Sequence, residues 1–531
     1  MKILVSDKLS QKGLDILDEA RSQGIEYDVK TGMSAEELIA AIPRYEGLVI
    51  RSSTKVTAEV IKAARNLKIV GRAGIGVDNV DLTEASKHGI IVMNTPDSNA
   101  ITTAEHAIAM IMALSRNIPQ ATASLREGKW EKSRFTGVEL MGKTLGVLGL
   151  GRIGSRVVKR AIGLEINVIV HDPYMSREAV EKLGAELVDL DELLRRSDYI
   201  TIHVPKMPAT INLVDEKQFD LMKNGVRIIN CARGGIVNEE ALYKAIIDGK
   251  VAGAALDVFE QEPPPKDHPL LKLDQVICTP HLGAATGEAQ EKVAVAVARQ
   301  MVEFFVRGRI MNAVNVPSLD PEVLTVIRPY LDLAEKLGCF SSQFLEGAVT
   351  EVSIKYIGEV AEQDDKALKT LTVAALKGLL SPHKENVNLV NAPVLARERG
   401  IKVTESNTLD TEDFASLIKI DLKTEKESGS VAGALFADKE PRIVFIDQYR
   451  LEAIPSGHML VFSNRDIPGV IGRIGTIMGN NNINIAGMQL GRTTLQGMAV
   501  AVLNVDSAVP QEVLDKIRAL PNIVYAKPIK L

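Results

Sequence analysis

Residues 144–154 read Thr144-Leu145-Gly146-Val147-Leu148-Gly149-Leu150-Gly151-Arg152-Ile153-Gly154, a short apolar run ending in G-x-G-x-x-G. The pattern alone is weak, because glycines also serve turns and tight packing. Its setting strengthens it: Thr144–Leu148 predicts a strand and Arg152–Ala161 a helix, so the glycines fill a strand-to-helix turn. Gly149 and Gly151 permit that turn and the close approach of a pyrophosphate, to which the helix start offers free N–H groups. The next predicted strand ends at His171-Asp172, 18 residues beyond Gly154, where a carboxylate meets an adenosine ribose. That carboxylate accepts hydrogen bonds from 2′- and 3′-hydroxyls and repels a 2′-phosphate. With no Arg before Arg177, NAD is expected rather than NADP.

Working outward, the fingerprint opens the second of two α/β series. Upstream, Ile3–Val5, Leu48–Ile50, Ile69–Val70 and Ile90–Met93 alternate with amphipathic stretches such as Gln11–Ala20, which predicts a parallel sheet covered on both faces. Asn99–Leu114 reads as one long, mostly buried helix. Downstream, strands are predicted at Val168–His171, Tyr199–His203, Val226–Asn230, Ala254–Val258 and Val276–Cys278. The face Val293, Val297, Met301, Phe304 and Phe305 predicts a helix over Glu288–Val306. Near Pro317 the series stops, and to about Gly457 the mixed periodicity supports only an α+β domain. The tail reads β-α-β-β-α-β: strand His458–Ser463, helix Pro468–Gly479, strands Ile483–Leu490 and Met498–Val505 around Thr493–Gly497, then a helix and a last strand. This is a small ferredoxin-like unit.

Composition agrees. A chain of 531 residues implies three or four domains. With 46% hydrophobic and 25% charged residues it is an ordinary globular chain, not a disordered one. Aromatics at 4% and a net charge of −5 argue against a nucleic-acid partner. Cys231, Cys278 and Cys339 lie far apart, which predicts no metal site and no disulfide framework and fits a reducing cytoplasm. The longest apolar run, Ala107–Leu114, is far short of the roughly 20 residues of a membrane span. The N-terminus reaches Asp7 too early for a signal peptide.

Three further segments each begin at the C-terminal end of a predicted strand, where open parallel sheets place ligands. They are Asn230-Cys231-Ala232-Arg233-Gly234-Gly235-Ile236-Val237, Leu256-Asp257-Val258-Phe259-Glu260-Gln261-Glu262-Pro263 and Thr279-Pro280-His281-Leu282-Gly283-Ala284. In this order behind the fingerprint they resemble the signatures of the D-2-hydroxyacid dehydrogenases, over about residues 1–316. The resemblance implies catalytic roles for Arg233, Glu262 and His281. Histidine suits a reaction that moves a proton to or from the substrate oxygen while a nicotinamide exchanges hydride. A neighbouring Glu262 favours the imidazolium and fixes the ring, and Arg233 presents a planar fork to the substrate carboxylate. It also implies cofactor contacts at Arg152, Ile153, Asp172, Cys231, Ala232, Arg233, Asp257 and His281–Ala284. Cys231 is expected to line the nicotinamide pocket, since no nearby histidine activates it as a nucleophile.

Two N-terminal segments stand at strand ends, Arg51-Ser52-Ser53-Thr54-Lys55 and Gly71-Arg72-Ala73-Gly74-Ile75-Gly76-Val77-Asp78-Asn79. Arg233 already serves one carboxylate, so Arg51, Lys55 and Arg72 invite a second anionic group such as a phosphate. Backbone N–H groups around Gly74 could hold the carboxylate as a nest. The alternative is that these arginines pair with Asp78 or Asp81. Arg51–Val56 (with Ser52), Gly71–Asp81 and Gly128-Lys129-Trp130-Glu131 resemble the long-form members of the family that oxidise 3-phospho-D-glycerate with NAD. One departure is Ile75, where the family often has Thr.

Phe462-Ser463-Asn464-Arg465-Asp466-Ile467-Pro468-Gly469-Val470 with Asn482-Ile483-Asn484-Ile485 resembles an ACT domain. That implies serine as an allosteric ligand, its carboxylate at the helix start and its ammonium and hydroxyl at Asn464, Asp466 and Asn484; the alternative is a purely structural pairing module. Gly433–Phe436 and Pro441–Asp447 resemble the intervening domain of long-form members. The expected architecture is α/β. A discontinuous flavodoxin-like substrate domain (1–98 and 288–316) and an NAD-binding Rossmann domain (99–287) precede an intervening α+β domain (317–452) and an ACT domain (457–531). Thr102–Leu114 and the arm through Trp130 resemble family dimer elements, so a homo-oligomer, dimer or tetramer, is expected. Two other readings are a reductase of glyoxylate, hydroxypyruvate or D-lactate type and a non-catalytic NAD-sensing regulator.

Overall fold

The structure, a computed structural model, describes residues 1–96, 100–316, 319, 321–411, 413–437, 439–494 and 497–531. The expected helix start at Asn99, the boundary at Pro317 and part of the turn Thr493–Gly497 lie outside these residues.

The first sheet comprises β1 (Lys2–Val5), β2 (Glu26–Val29), β3 (Gly47–Ile50), β4 (Ile69–Arg72) and β5 (Ile91–Met93), in the order β2-β1-β3-β4-β5, with β1 parallel to both neighbours. The sequence reading missed β2. Its residues Glu26-Tyr27-Asp28-Val29 lie at the sheet edge with none fully buried, so the apolar signal of a central strand is lacking. The helix Gly287–Arg307 crosses this sheet with Val293, Val297 and Met301 buried. A Cβ on Gly47 would stand 2.7 Å from Met301 Cε, and one on Gly71 2.7 Å from Val297 Cγ2, so the two strands carry glycine where the helix passes.

The second sheet has β6 (Thr144–Leu148), β7 (Asn167–His171), β8 (Glu186–Leu187), β9 (Tyr199–Ile202), β10 (Val226–Asn230), β11 (Val251–Leu256) and β12 (Val276–Cys278). All seven run parallel, in the order β12-β11-β10-β9-β6-β7-β8. Two cores follow from a sheet covered on both faces: Val147, Val170 and Ile229 pack with Ala104, Ile111 and Val157, while Ile169, Ile200 and Ile228 pack with Leu193 and Leu242. β6 lies between β7 and β9, so the strand order reverses there, and ligands bind at such a switch point.

The third sheet, β13 (Val349–Gly358), β14 (Lys402–Thr408), β15 (Ser416–Thr424), β16 (Ser428–Phe436), β17 (Glu440–Ile446) and β18 (Tyr449–Ala453), is mixed, with β13 parallel to β14 and the rest antiparallel. The fourth is the predicted βαββαβ unit: β19 (His458–Arg465), helix Val470–Asn480, β20 (Ile485–Arg492), β21 (Met498–Val505), helix Gln511–Arg518 and β22 (Ile523–Lys530). The fold is of the α/β class.

The chain divides into two compact units, Met1–Thr57 with Val70–Val80 and Met93–Asn312, and Ala58–Ile69 with Asp81–Val92 and Ala313–Leu531. The helix Leu82–Lys87 belongs to the second because Asn388 Nδ2 donates to Gly89 O at 2.9 Å and Lys87 meets Glu398 at 3.7 Å. Among the described residues no helix is long and apolar enough to cross a membrane, and no cluster of His, Cys, Asp and Glu could hold a metal ion.

Candidate active site

Every candidate for catalysis, cofactor and substrate lies in the first unit. The loops after β10, β11 and β12 bring Arg233, Glu262 and His281 together at the C-terminal edge of the second sheet. His281 Nδ1 stands 2.8 Å from Glu262 Oε2. An ionised carboxylate only accepts, so Nδ1 carries the hydrogen and Nε2 is left as the free base. The other Glu262 oxygen accepts the Phe259 N–H at 3.2 Å. Burial works against the Glu262 charge, but bonds from His281 and Phe259 and the field of Arg233 hold its carboxyl below the usual range. The His281 side chain is 43% exposed, open to a substrate.

Arg233 is held by two bonds within the protein. Its Nε donates to Asp78 Oδ2 at 2.6 Å and its Nη1 to the Ala232 carbonyl at 2.6 Å, which leaves the Nη2 side toward Gly76. Asn230 folds the loop beneath it, donating from Nδ2 to Arg233 O at 2.9 Å and accepting the Ala232 N–H at 3.0 Å. Cys231 is buried beside it, and burial together with the charge of Asp257 pushes its thiol well up, so it stays protonated.

Asp78 therefore pairs with Arg233 and not with Arg51 or Arg72, and Asp81 caps the helix Leu82–Lys87. Arg72 lies over Gly74, where a Cβ would run into its Nη1, and its Nε has no hydrogen-bond partner among the described residues. Burial, with Arg233 and Arg51 nearby, pulls Arg72 down to about 10. Arg51 is held through its backbone: Asp7 accepts its N–H at 2.5 Å and that of Thr54 at 3.2 Å, while Asn79 donates to Arg51 O at 2.7 Å. Ser52 and Lys55 project from the same loop into solvent.

The fingerprint has room for a dinucleotide. Gly149 sits at φ +91, and a Cβ on Gly154 would run into the Gly149 carbonyl oxygen, so both are fixed by the turn itself. A Cβ on Gly151 would meet nothing within 4 Å, so the turn has open space on that side. Arg152 is exposed beside it, and Ile153 precedes the helix Gly154–Gly163. Asp172 Oδ2 accepts the Leu150 N–H at 2.8 Å and Oδ1 that of Tyr174 at 2.9 Å, which ties the loop to the end of β7. Asp257 is 1% exposed and holds the loop through Leu282 and Gly283, beside half-buried Ala284.

Residues 108–283 match the family described as D-isomer specific 2-hydroxyacid dehydrogenase, NAD binding domain. Residues 326–447 match the D-3-phosphoglycerate dehydrogenase intervening domain, and 458–522 the ACT domain. A D-3-phosphoglycerate dehydrogenase of Archaeoglobus fulgidus is 48% identical, and one of Methanocaldococcus jannaschii 47%, each over 100% of both chains. The chain belongs to the D-3-phosphoglycerate dehydrogenase family. A structure of an NAD-dependent formate dehydrogenase from Staphylococcus aureus in complex with NAD is 31% identical, with a TM-score of 0.54, over 59% of this chain and 98% of that one. This family member is an NAD-dependent oxidoreductase with NAD as its cofactor.

At the candidate regulatory site of this family member, Asn464 is 2% exposed and its buried Oδ1 has no hydrogen-bond partner among the described residues. Asp466 is engaged by Arg492 at 3.0 Å and Asn484 by Asp506 at 2.8 Å, so those two face protein partners. Sequence reasoning missed several residues that shape the active site. Asn230 and Thr279 stood inside quoted motifs and were legible as polar groups at strand ends. Asp78 was named as a pairing acid, but not for Arg233, which it meets at 2.6 Å, and nothing marked His106, whose Nε2 lies 3.1 Å from Thr279 Oγ1. His203, at the end of β9 against the fingerprint, is buried enough to fall to about 4 and stays neutral.

Proposed function

We propose that the enzyme oxidises 3-phospho-D-glycerate to 3-phosphooxypyruvate, the opening step of the phosphorylated route to L-serine, under feedback by serine. The observation that carries the substrate is the charge around the site: beyond burial, Arg233 and Arg51 stand close enough to depress Arg72, Asp78 and Asp7 offset this only in part, and the ion pair of Asp78 is with Arg233. Such a cluster calls for more negative charge than one carboxylate brings, and a phosphate supplies it. The names of the relatives point the same way.

In this reading Arg233 and the N–H groups around Gly74 hold the substrate carboxylate, while Arg72 and Arg51, with Ser52 and Lys55 at the rim, hold the phosphate. His281 Nε2 accepts the C2 hydroxyl proton as the carbonyl forms, and Glu262 steadies the resulting imidazolium. NAD, when bound, takes the hydride. Gly149, Gly151, Arg152, Ile153, Gly154 and Asp172 would hold its pyrophosphate and ribose, and Cys231, Ala232, Asp257 and Leu282–Ala284 would line the nicotinamide side. Serine feedback is supported by the buried Asn464 Oδ1, without a partner among the described residues, in the strand that precedes the helix Val470–Asn480. We also place the enzyme in the cytoplasm, divide it at the domain limits 1–98 with 288–316, 99–287, 317–452 and 457–531, and read it as a homo-oligomer. The oligomer rests on the arm that exposes Ile118, Leu125 and Trp130, the last 84% exposed.

NADH oxidation with phosphooxypyruvate, hydroxypyruvate, glyoxylate and pyruvate, side by side and with and without serine, tests both parts. Phosphooxypyruvate should lead in kcat/KM by about 100-fold or more, since losing two charge-assisted contacts costs roughly 3 kcal/mol or more. A preference for an unphosphorylated acid would overturn the substrate. Unchanged rate and affinity at saturating serine would overturn the feedback.

A further inference from the structure

Asp257 organises the loop that carries His281 more completely than a cofactor contact would require. Its Oδ1 accepts from Thr279 Oγ1 at 2.6 Å and from the Leu282 N–H at 2.6 Å, and its Oδ2 accepts the Gly283 N–H at 2.8 Å. Its backbone carbonyl takes the His281 N–H at 2.9 Å. One residue thus pins positions 279, 281, 282 and 283. The loop needs it, because His281 sits at φ +55, a left-handed conformation that L side chains keep only where their surroundings enforce it.

A second histidine reaches this staple from another element. His106, on the helix Ala100–Ser115, places Nε2 3.1 Å from Thr279 Oγ1 and 3.2 Å from Asp257 Oδ1. The single hydroxyl hydrogen of Thr279 is already donated to Asp257. Nε2 must therefore carry a hydrogen and donate. We infer that His106 is a positioning residue: its Nε2–H locks the Thr279 hydroxyl and the Asp257 carboxylate together, and through them sets the aim of His281. Its ring contacts Thr279 and Asp257, and among the described residues it has no hydrogen bond or ion pair with His281 or Glu262. This inference rests on the reading of His281 as the base, and on no particular substrate.

The test compares His106→Leu, His106→Gln, His106→Asn, Thr279→Val and the double variant H106L/T279V. Turnover is measured with the acid that the wild type uses best, together with NADH affinity by fluorescence and the melting temperature. A wrong substrate shows in the wild type, whereas a wrong role for His106 shows only in the variants. His106→Leu should lower kcat about tenfold or more, with KM and NADH affinity within about threefold. The Gln amide reaches the place of Nε2 and should restore most of kcat, while the shorter Asn amide should not. Thr279→Val should match the loss, and the double variant should be no worse than the poorer single one, because the groups act as one unit. Wild-type kcat in His106→Leu, a Gln variant no better than Leu, or additive losses would each overturn the inference. Should His106→Leu fail to fold, the contrast between Gln and Asn decides the matter.

Discussion

His281 can take a proton because its other nitrogen is engaged. With Nδ1–H donated to Glu262, the neutral ring has its lone pair at Nε2, and an imidazolium formed there would meet a carboxylate already in place. Glu262 keeps its charge below the ordinary 4.5 although burial opposes it. The sign matters for the pH profile. A depressed carboxylate holds its charge until pH falls through the lowered value, so Glu262 keeps its anion beside His281 from neutral pH down to that value, and the pair is lost only below it. Glu262→Gln keeps the shape and removes the charge. It should lower kcat roughly 100-fold and move the acid limb of the oxidation profile to lower pH, as rate measurements from pH 5 to 9 would show. A limb that stays in place would mean that Glu262 only orients the ring. Arg233, Glu262 and His281 were legible as motif residues, Glu262 as the neighbour of His281 and Asp78 as an acid an arginine could pair with; that Arg233 takes Asp78, and that His106 joins Thr279, was not. Asp78 and His106 come from segments far away in sequence, and only folding brings them to the site.

The fingerprint turn separates two roles that its glycines share in sequence. At Gly154 an added methyl meets the backbone carbonyl of Gly149, which cannot rotate away, so Gly154→Ala should destabilise by about 1–3 kcal/mol and lower the melting temperature. At Gly151 the same methyl meets open space. Gly151→Ala should melt as the wild type does and yet bind NADH about tenfold or more weakly, because the methyl takes the place of the pyrophosphate. Equal melting with unchanged NADH affinity would show that the dinucleotide keeps clear of Gly151. Six strands of the seven-stranded sheet were readable because they are continuous apolar runs, whereas the two-residue edge strand β8, with neither residue buried, was not. The edge strand β2 of the first sheet was not either, being four residues with Glu26 and Asp28 on one face and none fully buried. The intervening region hid its main helix, Pro321–Phe344, because Pro329 lies inside it and proline reads as a helix stop.

At the scale of the second unit, the division into intervening and ACT domains does not follow the packing. Met459, Val461, Val500, Val502 and Ile529, from the ACT sheet, belong to the same buried core as Leu333, Leu337 and Phe340 of the helix Pro321–Phe344. The last strand also closes the end of that helix. Lys527 Nζ donates to Phe344 O at 2.8 Å, Gln343 exchanges bonds of 2.9 and 3.0 Å with the backbone of Lys530, and Tyr525 packs edge-on against Phe344 at 5.8 Å. Five buried apolar side chains at about 1.5–3 kcal/mol each contribute on the order of 10 kcal/mol, comparable with the whole stability of a domain. A chain ending at Ser456 should therefore lose the fold of residues 326–447 as well, seen as rapid hydrogen exchange across β13–β18. The same sharing predicts how a ligand would act. Serine at about 100 times its Kd would stabilise the unit by about 2.7 kcal/mol, and in hydrogen exchange of the full chain the slowest amides of 326–447 and 458–531 should gain protection alike. Protection confined to β19–β22 would show that the ACT sheet opens without its neighbour, and that the common core does not couple them.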